Sequence, residues 1–380
     1  MSKRLLAALG LGSLLVASTA PAQLIQGSPS GDNQKSSVSQ AIGPVEIAIT
    51  YSSPNVHAPD GTDRRGKIWG GLVPWGMSSF GFGSCGEQCP WRGGANENTV
   101  FRVSHDVEIE GKALAAGSYG LHFMPGKDEW TVIFSKNFTS WGSFSYDAKE
   151  DALRVVVKPV ENAYHEWLSY DFIDRETDHA TVALAWEDLA VPFRISVPGL
   201  DELYVAGIRN QLRTEPGFNW LGWQEAAQFL VQKKLHPEEA LVWAQNAVSL
   251  AGIGQENFNT LSTLAQAQAF AGKTADAAAS MDRALAHPTA TVFDLHQYGR
   301  QLLRNGDQPG ALKVFELNAK RFPNQWPVNV GLARGYAAAG RTKEALKAAK
   351  AALAQAPDDM NRTSLKGIVA KLEKGDAAIN

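Results

Sequence analysis

Gly272, Gly306 and Gly340 stand at equal steps, 306 − 272 = 340 − 306 = 34 residues, and Ala277, Ala311 and Ala345 keep the same interval. Leu264, Tyr298 and Leu332 run in register with them. A fixed period of this length constrains the fold more than any composition value does. One unit cannot bury its apolar face alone, so successive units must stack on one another. Ala and Leu dominate after about residue 200, and the apolar spacing there is helical. Each glycine falls where the first helix of a unit should end, because a left-handed residue is easiest there without a Cβ. Each alanine falls where two helices press together. Thr274, Asp307 and Thr342 follow the glycines and are expected to cap the next helix.

The clearest unit reads NVGLARGYAAAGRTKEALKAAKAALAQAP, with Leu332, Ala333, Tyr336, Ala345, Ala349, Ala352 and Pro357 at spaced positions. The unit before it carries Gly299, Leu302, Ala311, Phe315 and Pro323. These positions resemble the tetratricopeptide repeat, whose period is also 34. A weaker copy runs from Leu264 to Leu285. A degenerate one starts near Trp220, with Ala240 as its tight residue and a step of 277 − 240 = 37. Leu365, Ile368 and Leu372 can face inward while Lys366, Lys371 and Lys374 stay wet, the pattern of a closing helix. The array is expected over residues 219–375, after a linker at 200–218. Such arrays offer surfaces to a protein or peptide partner; the plainer role is padding for the preceding domain or dimerisation.

Residues 44–199 follow a different period. Val45, Ile47 and Ile49 alternate with polar neighbours, as do Tyr119, Leu121 and Phe123, then Trp130, Val132 and Phe134. Leu153, Val155 and Val157, then Val182, Leu184 and Trp186, then Phe193, Ile195 and Val197 do the same. Period-two runs split by Gly, Pro and Asp turns predict half-buried antiparallel strands. The fold class is therefore β then α: an antiparallel β-sandwich followed by an all-α helical repeat array.

Before the strands, Lys3 and Arg4 precede an apolar run, Leu5 to Val16, and then Ala20-Pro21-Ala22. That order predicts a signal peptide over residues 1–22, hence an exported protein, periplasmic or extracellular. The apolar run is shorter than the roughly 20 residues of a membrane span, and no later stretch could span a membrane. Residues 23–43 are rich in Gln, Ser and Gly and are expected to be a disordered leader. The formal net charge of −3, spread without basic runs, gives no pull toward nucleic acid. Cys85 and Cys89 share a Gly-rich loop, which in an exported chain reads as a small local disulfide, with free or metal-bound thiols as the alternative. No metal site and no cofactor is expected: no second Cys pair or His cluster has ligand spacing, and no phosphate or dinucleotide fingerprint occurs.

The chemistry-bearing residues concentrate in WRGGANENTV, Trp91 to Val100. Trp91, Arg92, Asn96 and Glu97 supply an aromatic face, a guanidinium, an amide and a carboxylate. These groups suit a small polar ligand, a saccharide or a carboxylate, through stacking and bidentate contact. His122, out of phase with its apolar strand, and Trp141 complete the candidate set. In the plain structural reading, Gly93 and Gly94 make a turn, Arg92 pairs with Glu97, and His122 points to solvent or pairs across the sheet. A hydrolase would use Glu97 or His122 as acid/base, although a glycoside-cleaving site needs a second carboxylate. A structural envelope scaffold is the third reading.

GKIWGGLVPWG, WRGGANENT, IEGKALAAGSYGLHFMPGKDEWTVIFSK, WGSFSYD and EDALRVVVKP together resemble the bacterial domain of unknown function 2911. The resemblance spans residues 44–197. It implies an exported β domain, sometimes followed by tetratricopeptide-like helices, with no established activity. Met77 to Pro90, which holds both cysteines, stands as an insertion relative to that pattern.

Overall fold

The computed structural model describes residues 33–376, so the signal-peptide expectation lies outside the described residues. The chain divides into two compact units, with the boundary between Tyr204 and Val205.

Among the described residues the first unit holds ten strands: β1 (Asn33–Ile42), β2 (Val45–Pro54), β3 (Val100–Val103), β4 (Val107–Ile109), β5 (Lys112–Leu114), β6 (Gly117–Met124), β7 (Trp130–Ser135), β8 (Asp151–Val157), β9 (Val160–Ile173) and β10 (His179–Ser196). One sheet has the order β1-β2-β3-β6-β7-β8 and the other β5-β4-β10-β9. Every pairing between them is antiparallel. The alternating residues do what their period requires. Ile47, Ile49, Phe101, Leu121, Trp130 and Phe134 from one sheet meet Leu168, Phe172, Leu184, Trp186 and Phe193 from the other in one core. That is a sandwich.

The leader expectation fails in its second part. Residues 33–42 form β1, paired residue for residue from Asn33↔Pro54 to Ile42↔Val45. Its side chains are mostly polar and only Ile42 is buried. Burial does not hold this strand; one-sided backbone pairing at a sheet edge does, and hydropathy does not register that. The expected linker at 200–218 is also helical, with α1 at Leu200–Gln211 and a 3-10 turn at Glu215–Phe218. Leu200 and Leu203 pack on the sandwich core, so this stretch carries apolar anchors that a linker would lack.

In the second unit, α2 (Trp220–Lys233), α3 (Pro237–Ser249), α4 (Phe258–Phe270), α5 (Thr274–Ala286), α6 (Val292–Arg304), α7 (Gln308–Arg321), α8 (Trp326–Ala338) and α9 (Thr342–Ala354) pack as successive pairs, and α10 (Asp359–Glu373) follows. First helices begin at Phe258, Val292 and Trp326, so 292 − 258 = 326 − 292 = 34; second helices begin at Thr274, Gln308 and Thr342 with the same step. The array is tetratricopeptide-like. Gly272, Gly306 and Gly340 have φ of 76°, 83° and 71°, the left-handed exit their position requires. Ala277, Ala311 and Ala345 are buried between helices. The capping expectation holds only at Asp307, which accepts from the Gly310 N–H at 2.9 Å. Thr274 and Thr342 are already first residues of their helices, whose caps make no side-chain bond. The full capping boxes lie instead before α4, at Asn257, and before α6, at Thr291. Leu365, Ile368 and Leu372 of α10 close the last cluster, as their spacing predicts.

Candidate functional site

The connection from β2 to β3 runs from Asn55 to Thr99 and contains no regular element. Connections beyond roughly 15 residues without regular structure are uncommon in compact domains, and ordered ones usually serve function. This one is tied down repeatedly. Isolated bridges join Asn55 to Trp167, Trp69 to Val73, Ser78 to Cys89 and Trp91 to Phe123. Cys85 and Cys89 form the expected disulfide, with Cα atoms 5.2 Å apart. His57 sits between two carboxylates, its Nδ1 2.9 Å from Glu166 and its Nε2 3.8 Å from Asp63.

WRGGANENTV is held in place by its own polar groups. Trp91 and Phe123 exchange backbone hydrogen bonds of 2.8 and 2.7 Å. Gly93 has φ of 62° and its carbonyl accepts from the buried Tyr170 hydroxyl at 2.7 Å. A Cβ there would lie 2.5 Å from both Phe123 and the Tyr170 oxygen, so only glycine fits. Asn98 donates to the Asn137 carbonyl and to Ser140 Oγ, pinning the far end of the turn.

Trp91 belongs to a quartet with Trp69, Trp130 and Trp186, with ring centroids 5.2 to 6.3 Å apart. The indole N–H groups of Trp69, Trp130 and Trp186 are buried without a conventional acceptor. Most rings in the quartet meet edge to face, so neighbouring π faces are the acceptors within reach.

A pocket of about 410 Å³ opens on this quartet. Trp91 and Trp186 form part of its wall, with Phe80, Leu72 and three prolines; Arg64, Arg92, Asn33, Asn55, Ser78 and Asn96 supply the polar groups. No carboxylate is in that lining among the described residues. Arg64 is committed to the backbone carbonyls of Asn55 and Val56. Arg92 is different. Its guanidinium donates to the Asn96 carbonyl and lies 5.0 Å from the centre of the Phe144 ring. No ion pair involves it among the described residues. Burial without a compensating anion lowers its pKa.

The other candidates stand apart from the pocket. Glu97 does not pair with Arg92; its carboxylate takes Lys35 Nζ at 3.0 Å and the Ser52 hydroxyl at 3.1 Å. Burial raises its pKa, but its own backbone N–H, Lys35 and Ser52 outweigh that and keep it low. Lys35 lies on β1, so the strand missed from the sequence supplies the partner that takes Glu97 away from Arg92. His122 does not face solvent, and its side chain bonds a loop hydroxyl rather than its cross-strand neighbour Ile133. It is 2% exposed, and its Nδ1 is 3.0 Å from Ser143 Oγ. The outer face of β6 and β7 is covered by a small cluster of Cys85, Cys89, Ile133 and Tyr146 with Met77 and Phe80. The cysteine-bearing segment therefore buries a face that strand alternation marks as wet. Burial first, and the Arg92 charge second, push His122 down to about 3. Trp141 is exposed and outside the pocket lining.

Asn33, Asn55, Arg64 and Phe144 were not among the candidates. Arg64 sits in a charged run of the sequence, but nothing in that run marks its reach to the pocket. Trp186 is a buried core residue whose edge reaches the pocket through sheet packing.

Residues 33–195 match the family described as protein of unknown function, DUF2911. No curated protein matches the chain. Among solved structures, YrrB, described as a tetratricopeptide protein with an unusual peptide-binding site, is 20% identical over 44% of this chain and 84% of its own, with a TM-score of 0.30. A tetratricopeptide protein of Thermus thermophilus is 16% identical over 45% and 92%, TM-score 0.30. The C-terminal part of a repeat protein from Cytophaga hutchinsonii is 12% identical over 46% and 67%, TM-score 0.35. The repeat architecture stated above rests on this chain's own helix spacing. The stretch that matches a domain of unknown function is thus followed by tetratricopeptide-like helices.

Proposed function

We propose that the β domain binds a small carboxylate-bearing molecule in the Trp91–Trp186 pocket, and that the helical repeats engage a protein or peptide partner. The observation that carries the first half is a guanidinium without a paired anion in a pocket whose lining holds no acid. A ligand carboxylate supplies the missing charge in bidentate geometry, and its apolar body lies against the indoles. Acidic saccharides and hydroxy acids both have this form. Acid–base hydrolysis finds less support, because Glu97 is tied to Lys35 and Ser52 and His122 is buried against Ser143.

Export belongs to the same proposal. The order Lys3-Arg4, apolar run, Ala20-Pro21-Ala22 supports it, and the Cys85–Cys89 disulfide suits an oxidising compartment. The intact mass of the protein recovered from its native host checks it: a chain beginning at Gln23 is expected.

The pocket is tested by thermal-shift titration of that protein with uronic acids, hydroxy acids and dicarboxylates, each beside its neutral amide or alcohol. Stabilisation by the acid alone is expected. Equal responses to acid and neutral partner would remove the carboxylate reading. No response to any compound would leave the scaffold reading in its place.

A further inference from the structure

A cavity of about 510 Å³ lies among α5, α6 and α7, wholly inside the helical unit. Met281, Leu285, Leu302 and Val314 give it an apolar wall, with the half-buried Tyr298 beside them. Asp282, Asp307 and Lys313 supply its charges. Part of its origin is visible in the repeat. At the fifth residue of the second helix the two following units carry Leu312 and Leu346, whereas this unit carries Ala278; the steps are 312 − 278 = 346 − 312 = 34. A leucine side chain is left out where the array otherwise holds one.

The charges depart from the repeat at the same place. One unit later, Glu316 on α7 meets Arg341 before α9 at 3.6 Å, and that guanidinium carbon lies 4.4 Å from the centre of the Tyr336 ring. The corresponding residues here are Asp282 and Asp307, since 316 − 282 = 341 − 307 = 34. The acid keeps its place, and the cation is exchanged for a second acid. Both carboxylates act on one group: burial first, then Asp282 and Asp307, raise the pKa of the Tyr298 hydroxyl. Asp307 accepts from the Gly310 N–H, and a Cβ at residue 310 would collide with its carboxylate, so glycine makes room for this acid. Neither Asp282 nor Asp307 forms an ion pair among the described residues. Lys313 lies six residues beyond Asp307, about 9 Å along the helix axis, and pairs with neither acid.

An apolar hollow edged by two uncompensated carboxylates is complementary to a cation carried on an apolar body. Tyr298 adds an aromatic ring, which attracts cations to its face. The volume falls within the roughly 300–1,000 Å³ of small-molecule sites and exceeds what one lysine or arginine side chain fills, which favours a free molecule. We infer that the cavity among α5, α6 and α7 binds a small organic cation, an ammonium or amidinium on an apolar body, with Asp282 and Asp307 holding the charge. The site is separate from the Trp91–Trp186 pocket, and the inference stands or falls independently of the ligand proposed there.

The test uses the whole protein and isothermal titration calorimetry. Phenethylamine and benzamidine are titrated beside their neutral counterparts, 2-phenylethanol and benzamide. The cations are expected to bind about tenfold or more tightly than the neutral compounds. Asp282→Asn and Asp307→Asn should each weaken the cations by a similar factor; asparagine also caps helices, so the second change spares the start of α7. Ala278→Leu, which installs the residue of the two following units, should abolish binding by filling the space. Asp307→Arg should also abolish it, by supplying Asp282 with a cation as Arg341 supplies Glu316. Glu344→Gln, an acid outside the cavity, should leave binding unchanged, and far-UV circular dichroism checks that each variant is folded. Equal binding of neutral and cationic compounds would overturn the charge inference. Cation binding that persists in both Ala278→Leu and Asp307→Arg would overturn the location. If neither cation binds, the inference falls.

Discussion

Arg92→Met separates a residue kept for a ligand from one kept for the fold. The side chain makes one hydrogen bond, to the Asn96 carbonyl, and one ring contact, with Phe144. Losing a charge-assisted hydrogen bond costs about 1.5–3 kcal/mol. Losing the cation–π contact costs about 0.5–2 kcal/mol. Against this, methionine fills much of the same volume and removes a charge that is desolvated without a partner. Full burial of such a charge costs several kcal/mol, and Arg92 is only partly enclosed, so relief of about 2–3 kcal/mol is reasonable. The net cost then lies between about −1 and 3 kcal/mol, so the free variant should unfold no more than about 3 kcal/mol below the wild type. The assay is urea denaturation followed by tryptophan emission and near-UV circular dichroism. In parallel, a carboxylate at a hundredfold excess over its dissociation constant should stabilise the wild type by about 2.7 kcal/mol. That corresponds to about 5–10 °C for a domain of this size. Arg92→Met should show none of it. A loss above about 3 kcal/mol in the free variant, the size expected for breaking a buried structural pair, would refute the reasoning.

Protonation of His122 should couple to stability. Burial holds its folded pKa at about 3 against an ordinary 6.5, so the unfolded chain takes up the proton first. Stability is then full above pH 6.5 and falls as pH drops through the window toward 3. Between about pH 7 and 5 the wild-type β unit should lose about 2 kcal/mol more than His122→Gln, read as urea midpoints; parallel pH profiles would refute this. In the helical unit, Gly299→Ala places a methyl 2.4 Å from the ring of the buried Phe315 and should cost about 1–3 kcal/mol. An unchanged melting temperature would mean that α6 and α7 separate freely. Replacing Cys85 and Cys89 by Ser should cost no more than about 2 kcal/mol, because the loop they close is so short. It should also raise protease cleavage between Met77 and Pro90, where limited proteolysis with mass spectrometry would detect it.

The helical half was legible because its signal is redundant. The period, the left-handed glycines and the tight alanines each mark the same boundaries, and the helix starts at Phe258, Val292 and Trp326 agree with them. The sandwich was legible wherever a strand buries one face. β1 escaped because a polar edge strand lacks that signature, and Lys35 escaped with it. That omission made an Arg92–Glu97 pair plausible on sequence distance alone. His122 was misplaced for a related reason. Alternation assigns faces within a sheet, but it cannot say that a distant segment folds over the outer face. Trp91, Arg92 and Asn96 do come together in one pocket, because the turn that carries them is fixed locally. The rest of that pocket comes from a long irregular connection, and such a path is set by tertiary packing rather than by period.

The indole quartet also turns the pocket into an optical instrument. Rings this close exchange excitation energy and couple their near-ultraviolet transitions, so Trp69, Trp91, Trp130 and Trp186 absorb and emit as a group. Two members of the group edge the pocket and two do not. A molecule that touches only Trp91 would quench or shift light gathered by all four. Occupancy should therefore be visible without any label, as a change in exciton ellipticity larger than a single perturbed tryptophan could give.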